Sequence, residues 1–178
     1  MVRTRVGYAG GQMALPTYHN IGDHTETVQI DYDPELISYN QLLDIFWNSH
    51  EPTRKSMPGQ YMKAVFYQNE QQRKQAIASK ASIEEEIGST VRTEIVPVRT
   101  FTMAEDYHQK FTLKGHKYLG NEMMRIYPRH QDLVDSTAAA RLNGYLGGHG
   151  SRDQLSKELE TLGLSAEAEK VLAEMILK

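Results

Sequence analysis

The residue best placed for acid–base chemistry is Glu26, which stands at the head of a stretch that alternates like a β-strand. Val28, Ile30 and Tyr32 are in phase with Glu26, so the four side chains should share one apolar face. Burial raises the pKa of a carboxyl group, which suits a general acid working near neutral pH. The alternative is a strand-end glutamate that turns to solvent, and spacing alone slightly favours that alternative.

Other patterns give weaker signals for chemistry. The chain has no cysteine, which excludes disulfides, thiolate metal sites and any thiol mechanism that uses this chain alone. Its seven histidines lack the spacing typical of metal ligands, so we expect no metal site. The Gly10-Gly11 turn lacks the lysine and spacing of a phosphate loop, and glycine there more simply allows a tight turn or close approach to a ligand.

Composition is that of an ordinary globular protein, with 39% hydrophobic and 24% charged residues in a chain of 178. A net charge of −3 gives no electrostatic reason to expect binding to nucleic acid or to an anionic membrane. We find no apolar run that would span a bilayer and no secretory signal at the N-terminus. A cytoplasmic location is therefore the default expectation, and the oligomeric state is left open.

The elements that would position these residues follow from capping and helix-breaking signals. Trp47, the sole tryptophan, lies on the predicted first helix and is expected to pack in the hydrophobic core. We predict strands at residues 2–8, 26–32, 61–67 and 91–98. A first helix should begin at a Ser38–Gln41 capping box, and a second, capped by an Asn69–Gln72 pair, should run to about Ile87. A short helix should begin near Met103, and the tail after Ser151 should form two helices that separate at Gly163.

Several short motifs occur in order along the chain. They are Val6-Gly7-Tyr8-Ala9-Gly10-Gly11, Pro16-Thr17-Tyr18, the segment from Gly22 to Glu26, Asp33-Pro34, Ile37-Ser38-Tyr39, the segment from Leu42 to Trp47, His50-Glu51-Pro52-Thr53, Gln60-Tyr61, the segment from Ala104 to Gln109, and Asn143-Gly144-Tyr145. Their order resembles that of the A-type peptide methionine sulfoxide reductases, over most of residues 2 to 150. The resemblance implies an α/β (α+β) fold, a ferredoxin-like two-layer sandwich, over residues 1–150, with a helical tail over residues 151–178.

What is known of that family implies a mechanism and a set of residues. A cysteine thiolate attacks the sulfoxide sulfur of oxidised methionine, a glutamate protonates the departing oxygen, and tyrosine hydroxyls bind that oxygen. Carried over by motif, the glutamate is Glu26 and the tyrosines are Tyr18, Tyr61 and Tyr145, while Leu146 occupies the place of the resolving cysteine. The resemblance implies no cofactor, oxidised methionine in peptides or proteins as substrate, and thioredoxin or another thiol as reductant.

This chain departs from the family pattern at two places. The Gly-Cys-Phe-Trp motif of the family lies on a strand–helix unit upstream of Val6, and this chain begins at Met1 without it. We therefore expect an N-terminally incomplete form of a peptide-methionine (S)-S-oxide reductase, inactive by itself. The alternative is a non-catalytic paralogue that binds methionine sulfoxide or has a regulatory role. The loop over residues 50–60 is also shorter, and Ser56 stands about where the family has an aspartate.

Overall fold

The computed structural model describes residues 2–55, 57 and 59–177, so Met1 and Ser56, on which two expectations rest, lie outside the described residues. Strands and helices combine in one chain, and the predicted mixed α/β fold is confirmed. The chain divides into a strand-rich unit, Val6–Glu105, and a helical unit, Met1–Arg5 with Asp106–Lys178. The predicted boundary at residue 150 was drawn from motifs rather than from contacts, and it stays a prediction.

Within the described residues, five strands form two small sheets. They are β1 (Arg3–Ala9), β2 (Thr25–Asp31), β3 (Ala64–Tyr67), β4 (Glu94–Pro97) and β5 (Phe101–Met103). The larger sheet has the order β2-β1-β5, and β1 runs antiparallel to β5 with Tyr8 opposite Thr102. The smaller sheet pairs β3 with β4 in parallel, with Val65 opposite Ile95.

The strand-rich unit also contains the helices α1 (Tyr39–Asn48) and α2 (Glu70–Ile87). The predicted capping box is confirmed, because the Gln41 amide N–H donates to Ser38 Oγ at 3.2 Å and Gln41 Oε1 accepts from the Ser38 amide at 2.8 Å. Helix α2 supplies the crossover that parallel strands require. Trp47 is only 4% exposed and its indole N–H donates to Ser79 Oγ, so its predicted core position is confirmed.

Some predicted boundaries were wrong. Strand β3 begins at Ala64 rather than at residue 61, because the Met62 amide closes a turn onto the Gly59 carbonyl at 3.0 Å. Strand β4 begins three residues late because the Val91 amide donates to the Glu84 carboxylate and is lost to the ladder. Residues near Met103 form β5 rather than a helix, and one 3₁₀ turn follows at Asp106–His108.

The helical unit packs short helices around one apolar core that includes Leu113, Leu142 and Leu155. The predicted division of the tail at Gly163 is confirmed, since this glycine has φ +68° and Ser165 caps the helix that follows. None of the described helices combines the length and the apolar character needed to cross a bilayer. The helices are α3 (Phe111–Gly115), α4 (Lys117–Ile126), α5 (His130–Asp135), α6 (Thr137–Leu146), α7 (Arg152–Glu158) and α8 (Ala166–Ile176), with a 3₁₀ helix at Leu159–Leu162.

Candidate active site

The glycine-rich turn is fastened to the segment that precedes β2. Gly10 has φ +87°, a left-handed conformation that glycine adopts without steric cost. The amides of Gln12 and Met13 then donate to the Asp23 carboxylate at 2.9 and 3.2 Å. These backbone hydrogen bonds hold the pKa of Asp23 below its usual value. The turn therefore serves to fix the chain ahead of the strand rather than to bind phosphate.

His24 is a structural residue within the same arrangement. Its Nδ1 accepts from the Gly11 amide at 3.3 Å, and its Nε2 lies 2.9 Å from the Met13 carbonyl. These partners assign Nδ1 as the acceptor and Nε2 as the donor. A β-carbon at Gly11 would lie 2.6 Å from the His24 ring, so glycine permits this close approach. Because both ring nitrogens are engaged and the residue is buried, His24 is not available as a catalytic base.

Glu26 is held at the junction between β2 and the loop that precedes Tyr61. Its amide donates to the Gln60 carbonyl at 3.0 Å, and its Oε1 accepts from Gln60 Nε2 at 2.6 Å. The preceding Thr25 hydroxyl also donates to the Gly59 carbonyl at 3.0 Å. These contacts bring Glu26 and Tyr61, two of the predicted site residues, to one junction. Among the described residues, no hydrogen bond reaches the second carboxylate oxygen, Oε2.

Glu26 faces solvent, which is the alternative that spacing alone slightly favoured, and the burial that would raise the pKa of a general acid is not observed. The even-numbered side of β2 is the open side, where Glu26 is exposed and Val28 and Ile30 are 55% and 36% exposed. Alternation correctly put these side chains on one face. It gave no information on whether another element covers that face, and the part of the chain that the structure describes leaves it accessible. Tyr61 is likewise 70% exposed.

Tyr18 lies on a separate loop that is tied down by Glu105. The Tyr18 amide donates to Glu105 Oε1 at 2.9 Å, while Glu105 Oε2 accepts from the Tyr8 hydroxyl at 2.6 Å. Reciprocal backbone hydrogen bonds between Thr17 and Asn20 close the loop around it. The Tyr18 side chain is 39% exposed. One carboxylate thus positions the tyrosine loop against strand β1.

Tyr145 belongs to the helical unit, where its environment differs from that of the other two tyrosines. It is 3% exposed, and its hydroxyl donates to Glu158 Oε1 at 2.5 Å. Arg141, one helical turn earlier, forms an ion pair with the other Glu158 oxygen. Burial raises the pKa of Tyr145, an effect that the positive charge of Arg141 opposes. The hydroxyl proton is therefore committed to Glu158 in the described state.

Two family models account for nearly the whole chain. The peptide methionine sulfoxide reductase model matches residues 1–142, and the model of the helical domain of selenoprotein methionine sulfoxide reductase A matches residues 129–177. The chain belongs to the peptide methionine sulfoxide reductase family. It is a member of that family without any cysteine.

Relatives and solved structures agree with this family. A peptide methionine sulfoxide reductase of Drosophila melanogaster is 44% identical over 167 residues, which are 93% of this chain and 67% of that protein. Peptide methionine sulfoxide reductase MsrA of Methanosarcina acetivorans is 43% identical over 62% of this chain, and A5 of Oryza sativa subsp. japonica is 40% identical over 82%. This chain spans 65% and 59% of the length of those two relatives.

A crystal structure of Mxr1 from Saccharomyces cerevisiae in reduced form is similar to this fold. It superposes with a TM-score of 0.58 at 27% identity, over 65% of this chain and 71% of that one. A second structure of Mxr1, in an unusual oxidized form, gives a TM-score of 0.51 at 30% identity. The three relatives are named as peptide methionine sulfoxide reductases, and both solved structures are of Mxr1. A non-catalytic binding role is therefore not favoured.

Three residues were not predicted from the sequence as parts of the site. Gln60 and Glu105 both lie inside matching motifs, and Gln60 directly precedes Tyr61. Their side chains could have been considered as partners for Glu26 and for the tyrosine loop. Glu158 lies in the tail, and no local signal connects it to Tyr145, because that contact depends on how α7 packs against α6.

Proposed function

We propose that this chain supplies the proton donor and oxygen-binding hydroxyls for reduction of the S epimer of methionine sulfoxide in oxidised peptides and proteins, while the thiolate comes from outside these 178 residues. The observation that carries the proposal is the family match over residues 1–142. Glu26 is the proposed donor, with Tyr18 and Tyr61 as the hydroxyls, and Tyr145 remains a further candidate.

The contacts of Glu26 support a definite proton position. Because Gln60 Nε2 donates to Oε1, a neutral Glu26 carboxyl would carry its proton on Oε2. The reaction then balances. The thiolate attacks the sulfoxide sulfur and forms a sulfur–sulfur bond while Glu26 protonates the sulfoxide oxygen. The hydroxyl group then moves to the cysteine sulfur as the sulfur–sulfur bond and the sulfur–oxygen bond of the substrate break, which gives a sulfenic acid. The other product is methionine. Exposure of Glu26 and Tyr61 leaves both accessible to a peptide substrate.

A thiol would complete the cycle. It would attack the sulfenic acid, form a mixed disulfide and release water, and a second thiol would regenerate the thiolate. Thioredoxin or dithiothreitol can serve in this step. The proposed reaction needs no cofactor, because the thiols supply both electrons.

The test uses the chain preceded by a segment that carries the Gly-Cys-Phe-Trp motif. With dithiothreitol, this completed protein should reduce N-acetyl-methionine sulfoxide, whereas the 178-residue chain should give no turnover. Glu26→Gln should lower the rate about 100-fold, since general acid catalysis typically contributes that much or more. Glu35→Gln is the matched control, because Glu35 is an exposed glutamate of the same unit whose carboxylate makes no hydrogen bond within the described part of the chain.

The outcomes separate the claims. No turnover by the completed protein would reject the reductase proposal. If Glu26→Gln leaves the turnover rate unchanged, Glu26 is not the acid, but the proposed reaction stands. Stoichiometric reduction of the sulfoxide by the cysteine-free chain would contradict the proposal that the thiolate comes from outside these 178 residues.

A further inference from the structure

A cavity of about 350 Å³ lies where helices α1 and α2 begin, away from Glu26. Its size is within the range of small-ligand sites, roughly 300–1,000 Å³. The described part of its wall carries no charged side chain, which favours a neutral ligand. Two phenols, a proline and a serine contribute to the wall, together with four amides: Asn69, Gln71, Gln72 and Gln75.

Three of the amides are held in fixed orientations. Asn69 Oδ1 accepts from the Gln72 amide at 2.9 Å, and Gln72 Oε1 accepts from the Gln68 amide at 2.8 Å. The side-chain NH₂ groups of Asn69 and Gln72 therefore remain as donors. Gln75 is oriented in the opposite sense, because its Nε2 donates to Asn40 Oδ1 at 3.1 Å and its Oε1 remains as an acceptor. The wall thus presents two oriented donors and one oriented acceptor.

A tyrosine in the wall also has unused hydrogen-bonding capacity. The hydroxyl of Tyr39 is buried and has no hydrogen-bond partner among the residues that the structure describes. Burial raises the pKa of Tyr39, so the hydroxyl is neutral at physiological pH. Buried polar groups are nearly always paired in folded proteins, and an unpaired one calls for water or a ligand.

We propose that this cavity binds the main chain of an extended peptide, as a second subsite for the oxidised substrates assigned above; this step rests on the proposed reductase function. A peptide group offers a carbonyl acceptor and an N–H donor side by side, which complements the amide donors of Asn69 and Gln72 and the acceptor of Gln75. The rings of Tyr32 and Tyr39 would pack on uncharged peptide side chains.

The position of the cavity sets the length of the peptide. Tyr32 lines the cavity just after β2, and Glu26 lies near the other end of that strand. Six residues at about 3.3 Å each separate them by roughly 20 Å. Val28 and Ile30, on the same side of the strand between the two, are exposed. A peptide would therefore need about six or seven residues to occupy both places.

The test measures binding to the 178-residue chain itself by titration calorimetry or NMR. The probes are a neutral peptide of about thirteen residues with methionine sulfoxide at its centre, and N-acetyl-methionine sulfoxide methylamide. The long peptide should bind about tenfold more tightly, as expected when two or three net hydrogen bonds are added. Glu26→Gln should not abolish this advantage, since the cavity lies at the far end of β2.

Variants on helix α2 locate the effect. Gln72→Ala combined with Gln75→Ala takes away one of the two oriented donors and the oriented acceptor, so it should remove the advantage of the long peptide. Alanine is the best helix former, so the helix should persist. Ser82→Ala is the matched control, because Ser82 lies on the same helix outside the cavity wall. Equal affinity for long and short probes, or an advantage that survives the double variant, would overturn the proposal.

The two proposals fail separately. A completed protein that reduces the short substrate, combined with no length-dependent binding, would reject only the subsite. Length-dependent binding that the double variant removes, without reduction of any substrate, would reject the reductase function and retain a peptide site. The reduced form of the long peptide should keep its contacts with the cavity, so its binding should fall in the double variant as well.

Discussion

Tyr61 and Tyr145 were predicted for the same role, yet their environments are opposite. Tyr61 lies on a turn with 70% of its surface exposed, while Tyr145 lies on α6 with 3% exposed. A buried hydroxyl must be paired, and that of Tyr145 donates to Glu158. The Tyr61 hydroxyl faces solvent and has no partner within the described part of the chain. A motif therefore specifies a residue type without specifying the use of its hydroxyl.

The two carboxylates that accompany these tyrosines differ in the same way. Glu26 is exposed and receives one hydrogen bond from the neutral amide of Gln60. Glu158 is 8% exposed and is neutralised by Arg141 while it accepts from Tyr145. Glu26 is accessible to solvent, whereas Glu158 is committed to holding α6 and α7 together.

The largest effect should follow removal of that buried carboxylate. Glu158→Ala leaves the Tyr145 hydroxyl buried without its acceptor and the Arg141 guanidinium without its counter-ion. We expect the free energy of unfolding to fall by about 2–3 kcal/mol. Urea denaturation followed by far-ultraviolet circular dichroism measures it. Glu160→Ala, at an exposed glutamate two residues on, should change the value by less than about 0.5 kcal/mol. Equal effects of the two variants would show that Glu158 is not a structural anchor.

The tyrosines themselves provide a direct comparison. Tyr145→Phe removes the donor but leaves Glu158 paired with Arg141, so we expect a loss of about 1–2 kcal/mol. Tyr61→Phe removes an exposed hydroxyl and should change stability by less than about 0.5 kcal/mol. Parallel urea titrations of the two variants measure this difference. A loss for Tyr61→Phe as large as that for Tyr145→Phe would contradict the contrast between them.

Alkaline pH should sharpen the same comparison. Because burial raises the folded-state pKa of Tyr145, the folded protein holds this proton more tightly than the unfolded chain does. Its contribution is complete below the unfolded pKa of about 10 and is lost as pH rises through the higher folded pKa. The stability advantage of wild type over Tyr145→Phe should therefore shrink above about pH 10.

Measurements of both proteins at several pH values test this expectation. Tyr39, whose pKa burial also raises, is present in both proteins, so its contribution cancels in the difference. A stability difference between the two that stays constant across this pH range would show that Tyr145 titrates alike in the folded and unfolded states.

Features fixed by local sequence were predictable. The Ser38–Gln41 capping box depends on residues three apart, and Trp47 is large and apolar enough that burial was the simplest expectation. The start of β3 was not predictable, since it depends on a turn that ends the preceding loop.

The candidate site could also be predicted only in part from the sequence. Alternation along β2 placed Glu26, Val28 and Ile30 on one side, but only the tertiary arrangement decides whether that side is covered. The partner of Tyr145 lies thirteen residues away on another helix, and no spacing rule connects them. Residue types at the site were thus accessible from motifs, whereas exposure and hydrogen-bond partners were not.

The smallest effect on stability should come from Glu26→Gln. Glutamine keeps an Oε1 that can accept from Gln60 Nε2, and an exposed carboxylate loses little solvation on folding. We expect a change below about 0.5 kcal/mol in either direction, measured by urea denaturation with the fluorescence of Trp47 as the signal. Stabilisation by more than about 1 kcal/mol would mean that the charge of Glu26 is buried in solution after all. In that case the contrast between an accessible Glu26 and a sequestered Glu158 would not hold.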